Sequence, residues 1–162
     1  MTTNYTTFDS PVGELLASAD ASGRITGLHF IDGHRLPARD GWARDDRTLA
    51  PLRRQLEEYF AGERREFELD LAPSGSPFQL SVWRALCAIP YGETASYGEI
   101  AATVGQPGAA RAVGGANNRN PIAIVVPCHR VIGANGTLTG YGGGLPRKQR
   151  LLALESGVQA LV

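Results

Sequence analysis

The sequence predicts a mixed α/β (α+β) chain in two parts, a small antiparallel-sheet unit with one helix, followed by a mainly helical unit. Three observations carry this reading. Apolar residues alternate in short runs within the first thirty positions, a Pro- and Gly-rich break falls at 71–77, and helical apolar spacing dominates the remainder of the chain. The expected units are residues 1–73 and 77–162.

The first unit reads as a β-meander. A strand near Tyr5 to Phe8 leads into the turn Ser10-Pro11-Val12-Gly13. Strands at 15–19 and 25–30 are joined by the turn Asp20-Ala21-Ser22-Gly23. Residues 34–45 are polar, contain Pro37 and Gly41, and are expected to be loop. A helix then starts with Asp46 or Thr48 as cap. Leu49, Leu52, Leu56, Tyr59 and Phe60 share one face, and Gly62 ends it. This half shows packing and no obvious chemistry.

Beyond the break, Phe78, Val82, Leu86 and Ile89 mark an amphipathic helix that stops at Pro90-Tyr91-Gly92, with Cys87 read as a small core residue. Ser96 caps a short helix through Ala102. Gly105-Gln106-Pro107-Gly108 interrupts, and a second short helix runs through 109–116. Two short helices across a Gly-containing turn have the plan of a helix-turn-helix, although most such pairs are merely structural. The second helix is nearly bare of bulk apart from Arg111, whereas a helix reading bases in the major groove carries Asn, Gln, Arg and Lys. A bare helix suits close approach to a minor groove. It equally suits tight packing with Arg111 on the surface.

The apolar run 121–127, bracketed by Pro121 and Pro127, reads as a buried strand that delivers Cys128-His129-Arg130 at its end. A thiol is a good nucleophile as thiolate, and cations or imidazole favour that form. Adjacent side chains point apart, so a water or a backbone turn would have to connect His129 to the sulfur. A buried cysteine beside a hydrogen-bonded histidine is an equal reading of these three residues. Downstream, 133–136 is a turn, 139–144 is a Gly-rich loop where backbone amides can meet a ligand, and Arg147, Lys148 and Arg150 open the last helix. On composition, Lys148 and Glu155 read as solvated charges.

Composition narrows the function classes. Of 162 residues, 43% are hydrophobic and 20% charged, which fits a globular chain and excludes a disordered one. No apolar run approaches the roughly 18 residues of a spanning helix, and the first ten residues lack the features of a secretory signal. A cytoplasmic location is expected. With two cysteines, and with His29, His34 and His129 out of ligand spacing, no metal site and no cofactor are expected, and the thiols stay reduced. The zero net charge is uneven. Residues 1–76 carry nine arginines against thirteen carboxylates, while residues 77–162 carry seven cations against three carboxylates. A basic second half can meet a polyanion.

The string Pro127-Cys128-His129-Arg130-Val131, preceded by Ala110-Arg111-Ala112-Val113-Gly114-Gly115-Ala116 and Asn120-Pro121, closely resembles the O6-alkylguanine-DNA alkyltransferases, also called methylated-DNA–protein-cysteine methyltransferases. The resemblance is unbroken from about Phe78 to Gly157; the first half agrees in element pattern alone. It implies a ribonuclease-H-like N-terminal domain, a helical C-terminal domain whose helix-turn-helix meets the minor groove of double-stranded DNA, and eversion of the damaged guanine into a pocket. By position it makes Cys128 the alkyl acceptor, His129 its base through water, and Glu155 the group polarising the imidazole. Tyr97 would donate to the guanine ring and crowd the 3′ phosphate, and Arg111 would fill the vacated stack. Ala110, Ala112, Gly114, Gly115, Asn120 and Arg130 join the DNA-contacting set, with Asn120 also holding the turn before the active-site segment. Tyr141, Gly142, Gly143 and Val131 would wall the pocket, and Lys148 would support Tyr141 and the leaving base.

The implied reaction is DNA repair by one irreversible transfer, acting on O6-alkylguanine and on O4-alkylthymine, by a monomer. Gly142 stands where some members carry a hydroxyl, so only its amide can donate, which widens the pocket toward bulkier adducts. Two rivals share the residues. A Cys-His hydrolase would turn over many times, but its nucleophile and base normally come from separate segments. A module that only binds alkylated DNA would hold damaged duplex equally well without Cys128.

Overall fold

The computed structural model describes residues 2–33, 36–138, 140–141 and 143–157. His34 and Gly142, both named above, and Thr139 at the start of the Gly-rich loop lie outside the described residues. The three predicted strands form as expected. β1 (Asn4–Phe8) pairs antiparallel with β2 (Leu15–Ala19), and β2 with β3 (Ile25–Phe30). A two-residue β4 (Ala43–Arg44), inside the segment expected to be loop, adds to β1 in parallel, giving the sheet order β3-β2-β1-β4.

The helix α1 (Ala50–Phe60) buries Leu52, Leu56, Tyr59 and Phe60 as its spacing requires, but neither predicted cap acts on it. Leu49 occupies the cap position with no side-chain bond. Asp46 is engaged by Thr6 Oγ1 at 2.6 Å, and Asp45 holds Thr48 N and Oγ1 at 3.0 and 2.7 Å in the turn before the helix. These polar side chains are committed to tertiary and turn contacts, so the helix begins later.

Residues 71–77 are less free than a linker. Ile25 N donates to Asp70 O at 2.8 Å and Ala72 N to Ile25 O at 2.7 Å, so the strand-like start of the break docks on β3. Next, α2 (Pro77–Cys87) opens with a capping box between Ser76 and Gln79, and its Trp83 Nε1 donates to Ala116 O at 2.9 Å. Cys87 is exposed rather than part of the core, because α2 turns it away from buried Val82 and Leu86. Ser96 caps α3 (Tyr97–Thr103) in a second capping box with Glu99, and α4 (Ala110–Asn118) follows the break at 104–109.

The segment 121–127 is buried as expected but is not a strand. Only one bridge forms, between Ile122 and Leu28, through Leu28 N to Pro121 O at 2.8 Å and Ala123 N to Leu28 O at 3.0 Å. The rest folds into turns, with Ile124 at φ +71°. Two features bend it: the terminal prolines supply no amide donors, and Asn120 replaces the missing ladder. Its Nδ2 donates to Val126 O at 2.8 Å and Ile122 O at 3.3 Å, while Oδ1 accepts from Ile122 N at 3.0 Å. Cys128 therefore opens a 3-10 turn, Cys128–Arg130, instead of closing a strand.

The turn feeds β6 (Val131–Ile132), which pairs in parallel with β5 (Ala95–Ser96), so the strand that leads into α3 at Tyr97 lies beside the strand that follows the Cys128 turn. The final helix α5 (Leu145–Glu155) packs on the Cys128 turn. Buried apolar residues from both halves make one core, and no helix of the described residues is long and apolar enough to cross a membrane.

Asn120→Ala deletes three hydrogen bonds and strips the Ile122 amide of its acceptor, while Ile122 O and Val126 O keep the backbone donors Val126 N and Cys128 N, a loss of about 1–3 kcal/mol. Urea unfolding should show it, and a thiol reagent should reach Cys128 faster. An unchanged midpoint would mean the turn holds itself.

Candidate active site

Cys128 lies at the wall of a cavity of about 550 Å³, shared with Asn117, Asn120, Ala123, Tyr141 and Gly143. The sulfur is buried, and burial pushes its pKa up, with Asn120, Tyr141 and the charge of Lys148 pulling part of the way back. The resting side chain is therefore a thiol and not the thiolate expected from its neighbours in sequence. Reaction needs a proton acceptor.

His129 can be that acceptor. Its Nε2 lies 2.7 Å from Glu155 Oε2, and both side chains are buried. Burial holds the imidazole below its ordinary pKa, only partly offset by Glu155, so it is neutral at pH 7. A carboxylate accepts only, hence Nε2 carries the hydrogen and Nδ1 keeps its lone pair. That Nδ1 is buried without a hydrogen-bond partner.

Glu155 gathers four donors. Arg130 Nε reaches Oε1 at 2.7 Å and Nη2 reaches Oε2 at 3.0 Å, while Tyr59 Oη donates to Oε2 at 2.5 Å, alongside His129. Burial would raise the carboxyl, but the bonds from His129, Arg130 and Tyr59 outweigh it and hold the pKa at about 2. Glu155 is thus no solvated surface charge. Arg130, assigned above to DNA, is also buried. Its guanidinium is divided between Glu155 and Ile89 O at 2.7 Å and leaves no face for a phosphate. Asn120 is likewise committed to its own turn.

Lys148 is fully buried as well, with Nζ donating to Val131 O at 2.5 Å; burial lowers its pKa and Cys128 draws it back up. Tyr141 has its hydroxyl beside the Cys128 thiol but makes no conventional hydrogen bond, and burial, then Cys128, raises its pKa well above the usual. Gly143 closes the wall, since a Cβ there would sit 2.5 Å from the Phe30 ring. Arg147 braces this corner. It stacks 4.5 Å over Phe30, donates to Val12 O at 2.6 Å, and pairs with Asp32 at 2.9 Å.

On the outer face, Arg111, Ala112 and Gly115 of α4 are exposed, while Ala110, Gly114 and Tyr97 are half-buried. A Cβ on Gly114 would lie 3.8 Å from the Tyr97 ring, so the two short helices meet there through bare backbone. Val131 is fully buried. Sequence reasoning misses Tyr59, Phe30, Asn117 and Arg147. Only Tyr59 leaves a signal, because a buried tyrosine hydroxyl needs a partner.

The sequence matches two family models, one in each half. Residues 3–73 match the ribonuclease-like domain of 6-O-methylguanine DNA methyltransferase, and residues 77–157 match its DNA binding domain. The methylated-DNA–protein-cysteine methyltransferase of Mycolicibacterium paratuberculosis is 61% identical over 151 residues, 93% of this chain and 91% of that one. The Methanosarcina acetivorans protein of the same name is 54% identical over 152 residues, 93% and 97% of the two chains. The crystal structure of Mycobacterium tuberculosis OGT in complex with DNA superposes with a TM-score of 0.90 at 52% identity, covering 96% of this chain and 94% of that one.

The Glu155 pKa sets an acid limit. A carboxyl held at about 2 when folded, against 4.5 when free, contributes stability that is complete above pH 4.5 and is lost as pH falls toward 2, about 3 kcal/mol in all. Tyr59→Phe removes one donor and should shrink that pH-dependent part. Urea titrations at about pH 5 and about pH 2.5 measure it; a parent–variant gap of equal size at both would show that the hydroxyl does not act on the carboxylate.

Proposed function

The chain belongs to the 6-O-methylguanine DNA methyltransferase family, and from that membership we propose how its residues act. It is a DNA-repair enzyme that moves the alkyl group of O6-alkylguanine in double-stranded DNA onto its own cysteine. The observation that carries the residue assignment is a buried thiol on a cavity wall, next in sequence to an imidazole whose free nitrogen is its basic one.

In the proposed sequence the damaged base is everted through the minor groove into the cavity, with α3 and α4 as the helix-turn-helix. Cys128 passes its proton through a bridging water to Nδ1 of His129, and the imidazolium is stabilised by Glu155. The sulfur attacks the alkyl carbon in line with the carbon–O6 bond. That bond's electron pair leaves with guanine, and Tyr97 and the amide of Gly143 favour the departing anion. In net terms the thiol proton replaces the alkyl group on the base. The product is a thioether with no hydrolytic base aimed at it, so each molecule acts once.

Arg111 fills the vacated stack, and the small residues Ala110, Ala112, Gly114 and Gly115 let α4 approach the groove. Tyr141, Val131 and Lys148 shape the pocket. Residues 1–73 and 77–162 form the two domains, O4-alkylthymine is a second substrate, and the protein works as a cytoplasmic monomer.

Incubation with an O6-methylguanine duplex should add one methylene unit to the Cys128 peptide, at most once per molecule. Mass on the Cys87 peptide, or repair by Cys128→Ala, would contradict the assignment. Arg111→Ala should slow transfer roughly tenfold or more at saturating protein, because eversion costs a few kcal/mol. Equal rates would remove Arg111 from the stack.

A further inference from the structure

Among the described residues, three buried side-chain atoms have no hydrogen-bond partner: His129 Nδ1, Tyr141 Oη and Asn117 Oδ1. Buried polar atoms without partners are rare, and each calls for a reason. All three belong to the surroundings of Cys128. The first is the lone pair of the base and the second faces the thiol. The third has no part in the mechanism above.

Asn117 sits near the end of α4, is 2% exposed, and lines the cavity together with Cys128. Its Nδ2 donates to the backbone carbonyl of Cys128 at 3.3 Å, which fixes the amide's orientation, since a carbonyl accepts only from nitrogen. The oxygen is left as a fixed acceptor without a protein partner, on the side chain that holds the Cys128 carbonyl.

An acceptor selects a donor, and the substrate offers few. Alkylation at O6 removes the hydrogen from N1, and N3 and N7 are acceptors. The one donor left on the base is the exocyclic 2-amino group. We propose that Asn117 is a specificity-determining residue whose Oδ1 accepts a hydrogen bond from the 2-amino group of the everted O6-alkylguanine. This rests on the reading of the cavity as the base pocket. The bond distinguishes alkylated guanine from alkylated bases that lack the amine, and it orients the purine with O6 toward sulfur. Leaving the oxygen unpaired costs more than a typical hydrogen bond gains, so discrimination exceeds what the bond alone supplies.

The test is a cycle between base and residue. Single-turnover transfer rates are measured at saturating protein for duplexes carrying O6-methylguanine or O6-methylhypoxanthine, which lacks only the amine. The parent should prefer the guanine substrate about five- to tenfold more than Asn117→Leu does. Loss of the Nδ2 bond to Cys128 would slow both substrates alike, so an unchanged ratio in Asn117→Leu overturns the proposal. If the leucine variant does not fold, Asn117→Ala gives the same ratio test, and equal rates on the two duplexes for the parent overturn it without any variant. Failure of the parent to demethylate either duplex would instead overturn the pocket reading beneath it.

Discussion

A single buried carboxylate organises this molecule. Glu155 arrives at the end of α5, receives His129 and Arg130 from the turn that starts at Cys128, and receives Tyr59 from α1. Burying such a charge is costly unless its oxygens are fully engaged. Four donors from two elements meet that requirement, and in doing so they set three positions at once. The imidazole is held in one tautomer, Arg130 is withdrawn from the surface, and the N-terminal half is tied to the chemistry through one hydroxyl. The first seventy residues are thus more than a scaffold.

The second constraint is the turn around Asn120. A regular strand would have sent the side chains of 121–127 alternately to two faces. Here the prolines withhold donors and one amide side chain closes the backbone on itself, so every residue from 122 to 130 is buried and Cys128 faces a cavity. Ile124 accepts a left-handed backbone to complete that turn. The resulting burial raises the thiol's pKa, an outcome opposite to what adjacency to His129 and Arg130 implies. Neighbours in sequence do not act as neighbours in charge. Arg130 reaches Glu155, and the cation that draws on the sulfur is Lys148, twenty positions on.

Much of the fold was legible because local rules were obeyed. The three strands, the cap at Ser96 and the breaks at Gly62 and 105–108 are short-range features, and each formed where its residues stand. The misses share a cause, which is that tertiary contacts override local preference. Asp46 was drawn from its helix by Thr6, and the apolar run 121–127 was bent by Asn120. At the site, the motif points to Cys128 as the proposed nucleophile, whereas the burial of Lys148, Arg130 and Glu155 was not legible. Charged residues at helix ends are usually solvated, and only the partner positions, 25 and 96 residues away, show otherwise. Asn117 was silent for the same reason, since it acts through one amide on an otherwise ordinary helix face, while Tyr59 signalled only that its hydroxyl needed a partner and not which one.

The two cysteines make the governing argument plain. Cys87 is exposed on α2 and Cys128 is buried, and the surroundings of each hold its pKa above the ordinary thiol value, so acidity does not single out the proposed nucleophile. What separates them is the surroundings of Cys128. Beside it stand a neutral imidazole with its basic nitrogen unpartnered, a lysine held at Val131 O, and a cavity that admits an electrophile of limited size. A thiol that ionises only when a base takes its proton is inert toward chance oxidants and alkylating agents. For a protein that can react once, reactivity must wait for the right carbon. In the proposed reaction burial supplies the delay, and the Glu155–His129 pair supplies the release.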